Sequence, residues 1–284
     1  MVTRIAWLLA CHLLVLAADP HTQSVQEWRK KYEEGLKAPY TGWLSVAGLY
    51  WLKEGVNVAG TADTNDVVLP RGPANAGAFL FEGKTVRYRN PAGALTPLRT
   101  DTSGSPDTLE IEGMRLIAIE RNGKFGIRLR DPQSKMRREF TGSVWYPINA
   151  KYNIKAKFIP HPYKRTINFT DMTGNIQKMV SPGLVEFSLN GQTFRLEPVE
   201  DEGQLFFVFK DRTANKGTYG AGRMLYAPLP VNGVAFIDFN VAKNPPCVFT
   251  PFATCPLPPK QNILPIPIPA GEKLPSSHES GRKY

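Results

Sequence analysis

Hydrophobic and polar positions alternate along most of the chain, which is the period of a β-strand with one buried face. In "LVEFSLNGQTFRLEP", Asn190-Gly191 separates two alternating segments and predicts a two-residue hairpin turn. Asn122-Gly123 predicts a second hairpin, and further strands are predicted at "GAFLFEG", "TLEIEG", "IKAKFI", "TINFTD" and "QLFFVFK". Pairing about the first turn sets four pairs opposite each other: Phe187 with Phe194, Val185 with Leu196, Glu186 with Arg195 and Ser188 with Thr193.

One segment near the N-terminus has the period of a helix instead. Within residues 19–40, four apolar side chains recur at spacings of three and four: Val25, Trp28, Tyr32 and Leu36. The sequence therefore predicts an all-β fold, an antiparallel barrel or sandwich, with one N-terminal helix packed on it. Residues 41–273 are predicted to be a single domain, with possible halves near 41–150 and 151–273, and residues 274–284 a flexible tail.

Proline is concentrated after residue 227, and "ILPIPIPAG" has Pro265, Pro267 and Pro269 at alternate positions. Because proline has no N–H, a strand formed here has one edge without donors. Leu264, Ile266 and Ile268 would share the buried face. The segment is therefore predicted to be an edge strand that ends a sheet.

The first 18 residues read as a secretory signal peptide. Arg4 is followed by an apolar run from residue 5 to residue 16 and by Ala17 and Ala18, which is the order of a cleaved leader. The run is too short for a membrane span. We expect a secreted or periplasmic protein, with a lipoprotein attached through Cys11 as the alternative.

The charge of +10 is spread over the chain and is not concentrated on one helix. A nucleic-acid partner is not expected, since an exported chain rarely meets nucleic acid. The charge indicates a solvated basic surface that acidic glycans or an anionic envelope surface would attract. The sequence leaves the oligomeric state open.

Two cysteines, Cys247 and Cys255, remain after removal of the leader. An even pair in an exported chain predicts a disulfide, which for a loop of about nine residues contributes roughly 2.5 kcal/mol. Too few histidines are available for a zinc site, so no metal is expected. The glycine-rich "GTYGAG" lies between strands and not in a βαβ unit, so no cofactor is expected.

The candidate site lies in "GRMLYAPLPVNGVAFIDFNVA". A loop over about 228–233 would set Arg223 opposite Asp238, within about 5 Å on one face. Asn240 shares the face of Asp238, and the pair is expected to line a cavity with Asn240 or Asn244. The Arg–Asp pair is either a structural ion pair or the floor of an anion-binding site.

The segments "TYGAGRMLY" and "DFNVAKNPPCVFTPFATCPLPPKQNILPIPIPAGEK" resemble the signature of the bacterial and archaeal domain-of-unknown-function family 1684. "EWRKKYEEGLKAPYTGWLSVAGLYWLKEGVN" resembles the opening of that family. The resemblance implies no established activity. In the family an aromatic residue often precedes Asn-Pro-Pro, where this chain has Lys243. The pattern carries over onto Tyr219, Gly220, Gly222, Arg223, Asp238, Asn240, Asn244, Pro245, Pro246, Cys247 and Cys255.

Three functions are consistent with these residues. The first is binding of a small anionic or glycan-like ligand, with five candidate residues: Arg223, Asp238, Asn240, Asn244 and Tyr219. The second is a secreted hydrolase in which Asp238 is the general base, Arg223 holds an anion and Asn240 orients the substrate. The third is a structural envelope protein in which the same polar residues only stabilise a turn.

Overall fold

The computed structural model describes residues 19–275. The predicted signal peptide and most of the predicted tail lie outside the described residues. Two α-helices are present in the described part, α1 (Pro20–Leu36) and α2 (Lys135–Glu139). Neither is long and apolar enough to cross a membrane.

Sixteen strands account for most of the regular structure. The first nine are β1 (Val46–Trp51), β2 (Gly55–Gly60), β3 (Val67–Val68), β4 (Gly77–Glu82), β5 (Thr85–Arg89), β6 (Leu95–Leu98), β7 (Thr108–Ile111), β8 (Met114–Arg121) and β9 (Lys124–Arg130). The others are β10 (Asn153–Thr170), β11 (Ile176–Leu189), β12 (Gln192–Leu196), β13 (Val199–Asp201), β14 (Gln204–Phe209), β15 (Arg223–Pro228) and β16 (Val234–Asp238).

The strands form four sheets, and β2–β3 is the one parallel pairing among the named strands of residues 19–275. The strand orders are β1-β9-β8-β7, β3-β2-β4-β5-β6, β12-β11-β10-β16 and β13-β14-β15. The predicted β fold with a helix at its N-terminal end is therefore confirmed. None of the four sheets of the described part closes into a barrel.

Both predicted Asn-Gly hairpins are present. Asn190 and Gly191 have φ values of 55° and 76°, the left-handed conformation that a primed two-residue turn requires. All four predicted cross-strand pairs occur between β11 and β12. Glu186 and Arg195 form an ion pair at 2.7 Å on the outer face.

Helix α1 lies within the predicted residues 19–40 and is capped by Asp19. The Asp19 carboxylate accepts hydrogen bonds from two backbone N–H groups of the first turn, and Pro20 occupies the first helical position, where its missing N–H costs nothing. The stripe at spacings of three and four faces the rest of the protein. Its end residues, Val25 and Leu36, are buried. The rings of Trp28 and Tyr32 between them stack with their centroids 5.3 Å apart.

The connection between β15 and β16 differs from the predicted long loop. Asn232 and Gly233 form a tight turn, closed by two hydrogen bonds between Val231 and Val234. Beyond this single bridge the strands separate: β15 pairs with β14 and β16 pairs with β10. Pro228 and Pro230 lack the N–H groups needed to extend the hairpin, which explains the separation.

The predicted proline edge strand is also incorrect, because residues 264–270 form no regular strand. The side-chain pattern is nevertheless as expected, since Leu264 and Ile268 are buried and Ile266 is partly buried. The segment runs beside residues 210–212. It is held there mainly through its carbonyl groups, which accept hydrogen bonds from backbone and arginine donors.

Buried side chains form two large clusters, one from residues 59–129 and the other from residues 152–270. A smaller cluster lies where α1, the turn at residues 43–45 and the Asn-Pro-Pro-Cys segment meet. Its buried members are Leu36, Leu44, Val248 and Phe249. This junction contains the candidate site.

Candidate functional site

Arg223 does not face Asp238, so the predicted pair is wrong. In the β14–β15 ladder Arg223 lies opposite Phe209, and its guanidinium is 5.1 Å from that ring. Its Nη2 atom is 2.6 Å from Asp211 Oδ2, and both side chains are 1% exposed. Nη2 also donates to the carbonyl group of Ile268, and Nη1 donates to that of Ala270. Both terminal nitrogens of Arg223 are therefore bound within the fold.

Asp238 lies in another sheet, opposite Asn153 of β10. Its Oδ2 atom is 2.7 Å from His21 Nε2 of helix α1. Its Oδ1 atom accepts two hydrogen bonds from Asn240, one from the backbone N–H at 2.9 Å and one from Nδ2 at 2.7 Å. This carboxylate fixes the chain after β16 and contacts the helix.

Asn240 joins the same anchoring network. Its Nδ2 also donates to the Asn149 carbonyl, and its own carbonyl accepts from Arg29 Nη2 at 3.0 Å. Arg29 stacks 4.6 Å above the Trp145 ring. The structure therefore brings Asp238 and Asn240 together, as predicted, but their visible contacts hold α1 against the sheet.

Asn244 lies in a different environment and is 1% exposed. Its backbone N–H donates to Glu272 Oε2 at 2.7 Å, and its Nδ2 donates to the Lys273 carbonyl at 2.9 Å. Its Oδ1 atom is buried and has no hydrogen-bond partner among residues 19–275. A buried acceptor without a donor is costly, so this atom is an unsatisfied polar group of the fold.

A cavity of about 210 Å³ lies beside Asn244, and we call it the amine cavity. The backbone of Lys243 pairs with Met224 through two hydrogen bonds of 2.9 Å, which fixes the lysine next to β15. Apart from Lys243 and Asn244 its lining is apolar or aromatic: Tyr32, Leu36, Trp43, Met224, Tyr226, Pro246 and Phe249.

The Lys243 amine is held between two aromatic rings. Its Nζ is 5.3 Å from the Tyr32 ring centroid and 5.0 Å from that of Tyr226. It forms no salt bridge or side-chain hydrogen bond with any residue in 19–275. Burial lowers the pKa of this amine, and the nearby Glu272 opposes that shift.

Glu272 is fully buried behind the cavity wall. Gly271 has a φ of 80°, and a Cβ there would lie 2.5 Å from the Ala242 carbonyl oxygen, so glycine lets this segment approach the backbone of Phe239 and Ala242 closely. Tyr32 donates a hydrogen bond to Glu272 Oε2 at 3.2 Å. Burial raises the pKa of Glu272 to about 7.

Cys247, Cys255 and Tyr219 lie next to this junction. Both cysteines are buried, and the Cys247 backbone N–H donates to Cys255 Sγ at 3.1 Å. The Cys247 thiol donates to the Tyr219 hydroxyl at 3.6 Å. The sulfur atoms are neighbours, but the structure does not join them, so the disulfide stays a prediction. In residues 19–275 no group of three or more metal-binding side chains is present.

Residues 138–273 match the model of a family described as "Protein of unknown function (DUF1684)". The predicted resemblance to this family is confirmed over these residues. The matched region contains every residue of the predicted family pattern, together with Lys243 and Glu272. The predicted N-terminal resemblance, from Trp28 onwards, lies outside it.

A solved structure of an uncharacterized protein from Haloarcula marismortui is similar to part of the chain. The two sequences are 24% identical, with a TM-score of 0.41, over 48% of this chain and 78% of the other. No curated protein matched the chain. The DUF1684 match leaves the activity open.

Sequence reasoning missed the two charged residues that matter most here. Lys243 stands where the family pattern often has an aromatic residue, and its cationic contacts with Tyr32 and Tyr226 depend on the fold. Glu272 lies in a plain Gly-Glu-Lys segment at the end of the DUF1684 match. The sequence offers one signal for these residues: Lys243 and Glu272 each lie next to an otherwise apolar segment of the family pattern.

Proposed function

We propose that this protein binds a small anionic ligand in the amine cavity. The observation that carries the proposal is the Lys243 amine. It lies at a mostly apolar cavity without an anionic or hydrogen-bonded partner among the described residues. Removing a cation from water without a partner is costly, and a bound anion would offset that cost.

The lining favours a compact ligand with an aromatic or apolar body and one carboxylate. The carboxylate would lie at Lys243, and a donor group on the ligand would reach Asn244 Oδ1. Aromatic walls provide most of the contact surface. Such walls suit an aromatic acid better than a glycan.

Catalysis is the second candidate function, but Asp238 is poorly placed for it. Both of its oxygens already accept short hydrogen bonds from His21 and Asn240. Glu272 is the better acid–base candidate, since its pKa is raised to about 7 and it binds the hydroxyl of Tyr32, which lines the amine cavity. A purely structural envelope role would leave the Lys243 amine unexplained.

Two further elements belong to the proposal. The sheet β12-β11-β10-β16 and the sheet β13-β14-β15 are proposed to form a sandwich, because one cluster contains side chains from both sheets. The first sheet contributes Val185, Phe187 and Leu196, and the second contributes Leu205, Phe207 and Leu225.

The proposal of export rests on residues 1–18 of the sequence. N-terminal sequencing of the mature protein tests it, and a sequence starting at Met1 or Val2 would contradict cleavage.

Calorimetric titration with benzoate and its neutral isostere benzamide tests ligand binding. Benzoate is expected to bind the wild type and to lose about tenfold or more in affinity in Lys243→Met, because one charge-assisted interaction is removed. Lys155→Met is the matched control, since Lys155 is exposed on β10. Equal binding of benzoate to wild type and Lys243→Met, or equal binding of benzamide and benzoate to the wild type, would contradict the proposal.

A further inference from the structure

A second, larger cavity adjoins the amine cavity, and we call it the arginine cleft. It has a volume of about 910 Å³ and shares three lining residues with the amine cavity: Trp43, Met224 and Pro246. Strands β8 and β9 form one side, and the segment around Cys255 contributes to another. Its size lies within the range of small-molecule sites in proteins.

Arg128 of β9 lines this cleft and is the least satisfied charge in it. The residue is 5% exposed, and its Nε is buried without a hydrogen-bond partner. In residues 19–275 its guanidinium donates to no carboxylate or carbonyl oxygen. The visible contact of the guanidinium is the Trp43 ring, 5.4 Å away.

The neighbouring arginines are satisfied, which sets Arg128 apart. Arg121 pairs with Asp101 at 2.7 Å, and Arg130 donates to the Gly42 carbonyl at 3.0 Å. Burial, together with the charges of Arg121 and Arg130, lowers the pKa of Arg128 to about 10, while the charge of Asp101 opposes the shift. The fold therefore maintains a buried guanidinium that has an aromatic contact but no ion pair or hydrogen bond with any residue of 19–275.

We propose that the Arg128 guanidinium binds the carboxylate of a second ligand, or ligand group, in the arginine cleft. An isolated buried charge costs several kcal/mol unless it is paired. The planar guanidinium presents parallel N–H donors that match the two oxygens of a carboxylate. The Trp43 ring beside it restricts the guanidinium and provides a flat apolar wall for the body of the ligand.

The charge of the cleft disfavours a phosphate more strongly than a carboxylate. Five acidic and three basic side chains line it, so the lining carries net negative charge. A phosphate monoester brings close to two negative charges at neutral pH and is repelled more strongly than a carboxylate. The cleft volume also admits a body too large for the amine cavity, such as a bicyclic ring.

Calorimetric titration of the full mature chain with 2-naphthoate, 2-naphthamide and 2-naphthyl phosphate tests this assignment. Naphthoate is expected to bind wild type and Lys243→Met equally, and to bind Arg128→Met about tenfold or more weaker. Arg128→Lys should recover part of the affinity, because it keeps the charge and loses the fork. Naphthamide and naphthyl phosphate should both bind the wild type more weakly than naphthoate.

Arg195→Met is the control, since Arg195 is exposed on the outer face of β12. The Nε–H resonance of Arg128 in wild-type protein should shift on naphthoate addition, which gives a readout that does not require a mutant to fold. An unchanged resonance, no naphthoate binding, or full binding in Arg128→Met overturns the proposal. Loss of naphthoate binding in Lys243→Met alone also overturns it, while leaving the amine-cavity proposal in place.

Discussion

Arg223 and Asp211 form a buried ion pair with 2.6 Å between Nη2 and Oδ2. The pair also holds the backbone of neighbouring segments in place. Asp211 Oδ1 accepts hydrogen bonds from Thr213 and from the backbone N–H of Ile268, while Arg223 binds the carbonyls of Ile268 and Ala270. The proline-rich segment thus receives through Arg223 the hydrogen bonds that a neighbouring strand would otherwise provide.

Arg223→Met is expected to lower the free energy of unfolding by about 3–5 kcal/mol, because it leaves the buried Asp211 carboxylate without its cation. Asp211→Asn should cost a similar amount by leaving Arg223 uncompensated. Urea unfolding followed by circular dichroism measures both effects.

The double variant and Asp238→Asn provide the controls. Arg223→Met with Asp211→Asn should cost clearly less than the sum of the single variants, since the two residues interact directly. Asp238→Asn should cost about 1 kcal/mol, because its hydrogen bonds are partly exposed. A loss from Asp238→Asn as large as that from Arg223→Met would contradict this account.

Local patterns in the sequence predicted the hairpins, and long-range contacts determined the site. The Asn190-Gly191 turn and its four cross-strand pairs follow from alternation within 15 residues. The partner of Arg223 could not be found that way. Asn232-Gly233 does form its turn, but the strands on either side then pair elsewhere. Lys243 becomes a cavity residue only because helix α1 brings Tyr32 to it.

Stability should fall with rising pH because of Glu272. Its carboxyl has a pKa near 4.5 when exposed and about 7 in the folded protein. Between these values the folded protein keeps a proton that the unfolded chain has released. The contribution is fully present below pH 4.5, is lost through pH 7, and amounts to about 3 kcal/mol. Urea unfolding of wild type across this range measures it.

Glu272→Gln isolates this effect, since glutamine cannot ionise and can still accept from Asn244 and Tyr32. The stability of the variant relative to wild type should rise by about 3 kcal/mol between pH 4.5 and values above 7. A relative stability that does not change with pH would show that Glu272 titrates normally.

The thiols of Cys247 and Cys255 should respond to the compartment in which the protein is made. Thiol labelling after denaturation without reductant should find no free thiol in protein recovered from an oxidising compartment. Folded protein from a reducing cytosol should resist labelling, because both residues are about 95% buried. Oxidation is expected to raise the free energy of unfolding by about 2.5 kcal/mol. Two labelled thiols in the exported protein would contradict the disulfide.

Lys243→Met is expected to raise the free energy of unfolding by about 1 kcal/mol. The substitution removes a half-buried amine that has no ionic partner among the described residues. It keeps an unbranched apolar chain between Tyr32 and Tyr226. The loss of the cation–π contacts is smaller than the desolvation cost that is relieved.

Lys155→Met, on the exposed face of β10, should change stability by less than about 0.5 kcal/mol. If Lys243→Met stabilises the fold and abolishes benzoate binding, the lysine is present for the ligand, because it lowers stability and is needed for binding. A destabilised Lys243→Met would instead make the amine part of the structural junction between α1 and β15.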